Sequence, residues 1–244
     1  MKLGAIQTAI RMFFPAQCIL CREPLDRENA LCGPCWRKMP FIDGSVCNKC
    51  GTPILGDIHA HLEDTCEDCH DVPPPWDWGR AALAYEGEAR KLILAFKHGD
   101  RQEIAIAGGF WMAQRVQGLI APDAVLCPIP LHWRRKLSRR YNQAEFLARE
   151  MARHLNLDVR TDLIVRPRPT IPLEAADQIE RHARLAGAFD PHPAVFQSPL
   201  PREVILVDDV MTSGATLSAA AQCLSHAGVI KINIVVLARV GRNG

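Results

Sequence analysis

Val204-Ile205-Leu206-Val207-Asp208-Asp209-Val210-Met211-Thr212-Ser213-Gly214-Ala215-Thr216 decides how this chain folds. Four aliphatic residues, three of them β-branched, make the short unbroken apolar run of a parallel strand covered on both faces. Two carboxylates follow, and the expected strand ends where they begin. Ligands of open α/β sheets sit at the carboxyl ends of the strands, so Asp208 and Asp209 fall where sugar hydroxyls or a metal would be held. Thr212, Ser213, Gly214, Ala215 and Thr216 then handle an anion. Small side chains and one glycine let backbone N–H groups converge, hydroxyls add donors, and a helix expected from about Leu217 presents its positive end.

Over all thirteen positions this stretch resembles the phosphoribosyl pyrophosphate (PRPP) binding motif of type I phosphoribosyltransferases. The resemblance implies that Asp208 and Asp209 contact the ribose 2′ and 3′ hydroxyls. It also implies that Thr212 through Thr216 cradle the 5′-phosphate. The Gly-Lys-Ser/Thr ending of a nucleoside triphosphate loop and the Gly-x-Gly-x-x-Gly of a dinucleotide fold are absent here.

Ten cysteines divide the 244 residues. Eight form four Cys-x-x-Cys pairs: Cys18 with Cys21, Cys32 with Cys35, Cys47 with Cys50, and Cys66 with Cys69. Two such knuckles complete a closed tetrahedral zinc site, so four predict two structural zinc ions. Sequential pairing gives two consecutive zinc ribbons and is the favoured reading; spacing leaves a cross-braced pairing open. A disulfide framework would require an export signal. Between Met1 and Pro15, Gln7, Thr8 and Arg11 interrupt the apolar residues and no small-x-small cleavage site precedes Cys18, which points to a cytoplasmic protein. No run of eighteen apolar residues exists, so no membrane span is expected. Cys127 and Cys223 lie in apolar segments and are read as buried thiols, and Trp76, Trp78 and Trp111 as packing residues.

Three segments are expected: a short amphipathic helix within residues 1–17, a double zinc ribbon over 18–72, and an α/β domain over 76–244. Pro73, Pro74 and Pro75 form a semi-rigid joint between the last two. In the α/β domain, strand and helix patterns alternate as βαβ units do: strands at 80–85, 124–127, 159–165, 203–207 and 230–237, with helices at 88–97, 104–119, 142–156, 177–184 and before Gly228. About five strands with covering helices fit one parallel sheet.

Cys127-Pro128-Ile129-Pro130-Leu131-His132 ends one of those strands and leads into Arg134, Arg135, Lys136, Arg139 and Arg140, a basic cluster without an acid. A phosphoribosyltransferase must stabilise charge building on pyrophosphate, and Pro128, Pro130, Arg135, Arg139 and Arg140 are the candidates for that loop. Arg166, Arg168, Thr170 and Arg181 are candidates for a hood over the acceptor site. The net charge of +2 is too small to demand a nucleic-acid partner.

Nearly the whole chain resembles the ComF family, in which a zinc-ribbon region precedes a type I phosphoribosyltransferase domain. The resemblance rests on the knuckles, Tyr85-Glu86-Gly87 with Lys91-Leu92-Ile93 and Lys97, the Pro-Ile-Pro-Leu-His segment, Arg140 to Gln143, Arg181 to Phe189, and the thirteen-residue motif. It departs at Tyr141, which follows Arg140 without the usual glycine, at Arg184 in place of asparagine, and at Leu173 in place of glutamine. The resemblance implies a magnesium-assisted transfer of phosphoribosyl from PRPP to an acceptor. It also implies an association with natural competence and incoming single-stranded DNA. The alternative to the enzyme is a PRPP-responsive single-stranded DNA-binding protein, its ribbons and basic loop on phosphates and Trp133 or Tyr141 against bases.

Overall fold

A computed structural model describes residues 15–54, 65–99, 101–131, 141–167, 187–197 and 199–241. The expected helix before Pro15, the helix at 177–184, the basic cluster and Arg168, Thr170 and Arg181 lie outside the described residues.

Five strands form one parallel sheet in the order β1-β7-β6-β2-β3: β1 (Gly79–Ala84), β2 (Val125–Pro128), β3 (Asp158–Val159), β6 (Glu203–Met211) and β7 (Lys231–Arg239). A separate antiparallel pair joins β4 (Ile164–Val165) to β5 (Asp190–Pro191). The continuous strand expected over 159–165 is therefore two pieces. Arg160 Nε and Nη2 grip Asp162 Oδ1 and Oδ2 at 2.7 and 3.1 Å, in the turn that parts β3 from β4.

Side chains alternate across the sheet as the two-residue period dictates. Ile205, Val207, Val235 and Leu237 face α3 (Gly87–His98), α4 (Glu103–Val116) and α5 (Gln143–Leu155); Val204, Leu206, Ile234 and Val236 face α6 (Ala215–His226). Asn142 caps α5, its side chain accepting from Ala144 N at 3.2 Å, and Asn156 closes it in the left-handed conformation.

The crossover from β2 through α5 leads outward to β3, whereas that from β6 through α6 leads the other way, to β7. Between β2 and β6 the winding reverses, which is where a doubly wound sheet opens a ligand crevice.

The cysteine-rich region clamps the edge strand β1. Phe41 bridges Leu83, Ile42 N donates to Ala82 O at 3.0 Å and Ala84 N to Pro40 O at 2.9 Å, so residues 40–42 hydrogen-bond to β1 along its outer edge. The segment around α1 (Gly33–Lys38) packs Ile19 and Met39 into the core facing α3 to α5. The segment that includes α2 (Glu67–Asp71) adds Cys47 and Cys50 to the core facing α6. The two knuckle pairs thus straddle the sheet edge. Trp76, Trp78, Trp111, Cys127 and Cys223 are all buried, as the packing reading requires. No helix among the described residues is long and apolar enough to cross a membrane.

Backbone meets backbone where the second knuckle pair touches β1. Gly51 has φ +71°, and a Cβ there would lie 2.8 Å from Ala81 N. Gly51→Ala should therefore lower stability by about 1–3 kcal/mol, read as a reduced urea midpoint; an unchanged midpoint would show that the knuckle does not bear on β1.

Candidate functional site

In the cysteine-rich region, Cys18, Cys21, Cys32 and Cys35 form one cluster and Cys47, Cys50, Cys66 and Cys69 another, the Sγ atoms of each within 4.8 Å of one another. The pairing is sequential. Four thiolates about 2.3 Å from one zinc sit about 3.8 Å apart at a tetrahedron's corners. Cys21 and Cys32 are 3.6 Å apart and Cys50 and Cys66 3.7 Å, so both four-cysteine sets fit a structural zinc ion. With four protein ligands each leaves no open position for a substrate.

The crevice is built by the way the β2–β6 ladder stops. Pro128 pairs with Val207, and Ile129 N donates to Val207 O at 2.9 Å. The next rung of a parallel ladder would run from Asp209 N–H to the Ile129 carbonyl. Both groups are engaged elsewhere: Asp209 N donates to Asp208 Oδ1 at 2.9 Å, and Ile129 O accepts from Asn142 Nδ2 at 3.1 Å. Pro130 has no N–H to resume the ladder. The sequence places the end of β6 at Val207, yet the strand runs on to Met211, because β7 continues to pair with it: Asp208 with Val236, Val210 with Ala238, Met211 with Arg239. The two carboxylates therefore stand on a strand that has lost its neighbour on one side.

Lys97, at the end of α3, places its Nζ 3.2 Å from Asp209 Oδ2, with both side chains mostly buried. Its sequence neighbourhood gives Lys97 no role at the site, because the helix that carries it is far from the motif in the chain. Burial pushes the Asp208 carboxyl up to about 7, and the adjacent Asp209 charge adds to the rise, while the Asp209 amide, Lys97 and Arg166 pull the other way. Arg166 directly follows β4, its guanidinium 5.4 Å from the centre of the Phe189 ring. Of the hood candidates, it is the one within the described residues.

After Met211 the chain turns through Thr212 and Ser213 to Gly214, whose φ of +78° suits glycine, and α6 begins at Ala215, two residues earlier than expected. Ser213 Oγ accepts from Ala215 N at 3.5 Å. Arg239, at the end of β7, holds the other side of this loop: its Nη1 donates to the carbonyls of Met211 at 3.2 Å, Val240 at 2.8 Å, and Thr212. Carbonyls drawn to Arg239 leave the loop's N–H groups and the Thr212 and Thr216 side chains as the groups at hand for an anion. No motif signal marks Arg239, which is remote in sequence and adjacent only through the β6–β7 ladder.

Pro128 and Pro130 lie on the same sheet edge as the acidic pair, as expected from a shared parallel direction; Arg135, Arg139 and Arg140 are outside the described residues. Tyr141 donates from its hydroxyl to Phe96 O at 2.9 Å and meets the Phe146 ring edge-on at 5.2 Å. That is packing between α3 and α5.

Two known protein families match parts of the chain. Residues 9–70 match the double zinc ribbon domain and residues 142–243 the phosphoribosyl transferase domain. Fold and site together define a phosphoribosyltransferase-domain protein with a double zinc ribbon. The chain is 31% identical over 233 residues to the DNA utilization protein YhgH of Escherichia coli O157:H7, covering 92% of this chain and 97% of that one. It is 30% identical to Competence protein F of Haemophilus influenzae over 235 residues, 93% of this chain and 98% of that one. Competence protein ComFC of Bacillus subtilis matches at 29% identity over 84% of this chain and 81% of its own. A solved structure from Thermus thermophilus, that of TT1426, shares 20% identity and a TM-score of 0.34 over 57% of this chain and 85% of its own, a likeness too loose to add to the fold. The chain belongs to the ComF family.

The raised Asp208 carboxyl makes a pH prediction. In an unfolded chain this group titrates at about pH 3.9. Between that value and about 7 the native protein holds the extra proton, so this group lowers stability progressively as pH rises across that window. Asp208→Asn should leave the Tm of the ligand-free protein unchanged near the lower end of the window and raise it at a pH one unit above the upper end. Equal melting at both would show that the carboxylate carries no such penalty.

Proposed function

We propose that this protein binds PRPP with magnesium in the β2–β6 crevice and transfers the phosphoribosyl group to an acceptor, releasing pyrophosphate. The observation that carries this reading is the adjacency of two carboxylates, on a strand stripped of one neighbour, to a glycine-turned loop at a helix N-terminus. Carboxylates suit hydroxyls, and converging N–H groups suit a phosphate. Asp208 and Asp209 accept hydrogen bonds from the ribose 2′ and 3′ hydroxyls, and Thr212 through Thr216 hold the 5′-phosphate. Magnesium would supply charge neutralisation between the ribose and diphosphate oxygens. The segment from Pro128 to Arg140, with Arg135, Arg139 and Arg140, takes the leaving pyrophosphate, and Arg166, Arg168, Thr170 and Arg181 border the acceptor side. An acceptor lone pair attacks the anomeric carbon as its bond to the pyrophosphate oxygen breaks.

The zinc ribbon and catalytic domain occupy 18–72 and 76–244 in this reading, preceded by the short helix within 1–17. Eight zinc-bound thiolates fit a reducing, cytoplasmic setting. The relatives' names, DNA utilization and competence, support a role in the handling of incoming DNA and favour a second reading, a PRPP-responsive protein that binds single-stranded DNA without turnover.

Pyrophosphate release from PRPP, assayed with the zinc-loaded protein against bases, ammonia and single-stranded DNA, separates the two. Transfer predicts release with at least one acceptor and a loss of about 100-fold or more in the Asp208→Ala, Asp209→Ala double variant. No release with any acceptor, together with DNA binding that the double variant leaves unchanged, would exclude it.

A further inference from the structure

Trp76 touches both the second cysteine cluster and the loop after β6, two features that lie far apart along the chain. Its indole Nε1–H donates to the Lys49 carbonyl at 2.6 Å, and the Lys49 ammonium donates back to the Trp76 carbonyl at 3.2 Å. Lys49 lies inside the Cys47-x-x-Cys50 knuckle, where Gly51 N donates to Cys47 O at 2.9 Å and Cys47 N to Thr52 O at 2.8 Å. A metal held by Cys47 and Cys50 fixes that carbonyl. At its other end the same indole abuts the loop through Cη2: a Cβ on Gly214 would sit 3.4 Å from Trp76 Cη2 and 3.6 Å from Met211 Sδ. Cys47, Cys50, Trp76, Met211, Ala215 and Leu217 belong to one buried apolar cluster.

The knuckle is in turn seated on the sheet. Gly79 N donates to Asn48 O at 2.8 Å, and the buried Arg80 guanidinium donates to Asn48 O at 3.2 Å and to Asn48 Oδ1 at 3.0 Å. An added Cβ at Gly79 would meet the Lys49 carbonyl and one at Gly51 the Ala81 amide, so knuckle and β1 pack backbone against backbone and displacement of the knuckle bears on β1 and the indole together.

We infer that Trp76 is a positioning residue for the anion-binding loop, and that the second zinc centre, through the Lys49 carbonyl, holds Trp76 in place. The loop has Arg239 on its β7 side and the indole on the other. A small-residue loop with a glycine at positive φ has little packing of its own to fix its N–H groups, and the edge of a buried tryptophan, at Cη2, supplies it. The zinc ion of this centre thereby governs the affinity of a site that it does not touch. The link to affinity rests on the loop's being the PRPP phosphate site, as proposed above.

The test compares wild type, Trp76→Ala, Trp76→Phe and Cys69→Ser by zinc content, by amide hydrogen exchange of ligand-free protein, and by calorimetric titration with PRPP and magnesium. Trp76→Phe keeps a ring and removes the N–H, so it serves where the alanine variant fails to fold. Both Trp76 variants should retain two zinc ions per chain, exchange peptides covering 211–216 about tenfold faster than wild type, and leave peptides of α4 at the wild-type rate. Cys69→Ser should lose one zinc and show the same loop exchange. Loop exchange at the wild-type rate in the Trp76 variants, or an equal rise in α4, overturns the inference. A wild type that ignores PRPP while the exchange pattern holds overturns the ligand reading and upholds the positioning of the loop by Trp76; PRPP bound by wild type and equally well by Trp76→Phe with faster loop exchange overturns the link to affinity.

Discussion

The site exists because one parallel ladder stops four residues before another, at Val207 where the other runs on to Met211. At Val207, β6 has hydrogen-bonded neighbours on both sides; at Asp209 it has one. A backbone N–H that has lost its strand partner must find another, and Asp209 N–H finds the carboxylate next to it. The Ile129 carbonyl is likewise claimed by Asn142, the residue that caps α5. The same few bonds therefore end the sheet on one side, start a helix, and leave two acids on a strand open along one edge. Continuing pairing with β7 keeps those acids on a rigid strand rather than in a loop, which preorganises them.

A parallel sheet of this order would expose β1 as an edge, and exposed edges invite pairing with other chains. Residues 40–42 hydrogen-bond to it, and the two cysteine clusters take up opposite sides of the same edge. Zinc ribbons have almost no core of their own and owe their order to the metal. Here each borrows the core of the larger sheet, Ile19 and Met39 on one face, Ile42, Cys47 and Cys50 on the other.

What the sequence reveals and conceals follows from the range over which each signal acts. The knuckles are read from spacing because two thiolates two residues apart readily share a metal. The central strand is read from Val204 to Val207 because a doubly covered strand is apolar throughout. At Asp208 that signal ends while the strand does not, since its last residues are held by the β7 ladder and not by their own propensity. The break between β3 and β4 is hidden for a similar reason: Val159 to Val165 has the composition of one strand, and a local Arg160–Asp162 pair at the turn divides it. Lys97, Arg239 and Trp76 reach the site from distant elements. Trp76 is a packing residue, as its sequence neighbourhood implies, but only the fold shows against what it packs.

Charge divides the labour within the crevice. Asp209 meets the Lys97 ammonium at 3.2 Å, while Lys97 and Arg166 act on the adjoining Asp208 from further off. A phosphate brought against that pair would be repelled, whereas a hydroxyl donates to a carboxylate with a charge-assisted bond. A phosphate would be tolerated beyond the acids, where the chain has no acidic side chain from Val210 to Leu217 and α6 begins. The acids also repel one another, which adds to burial in holding the Asp208 carboxyl above the usual carboxylate range. A bound group that brings hydroxyl donors, or positive charge, to this pair relieves that repulsion. On the function proposed above, the repulsion carried by the ligand-free site is thus itself a selector for a ligand with hydroxyls at one end and an anion at the other.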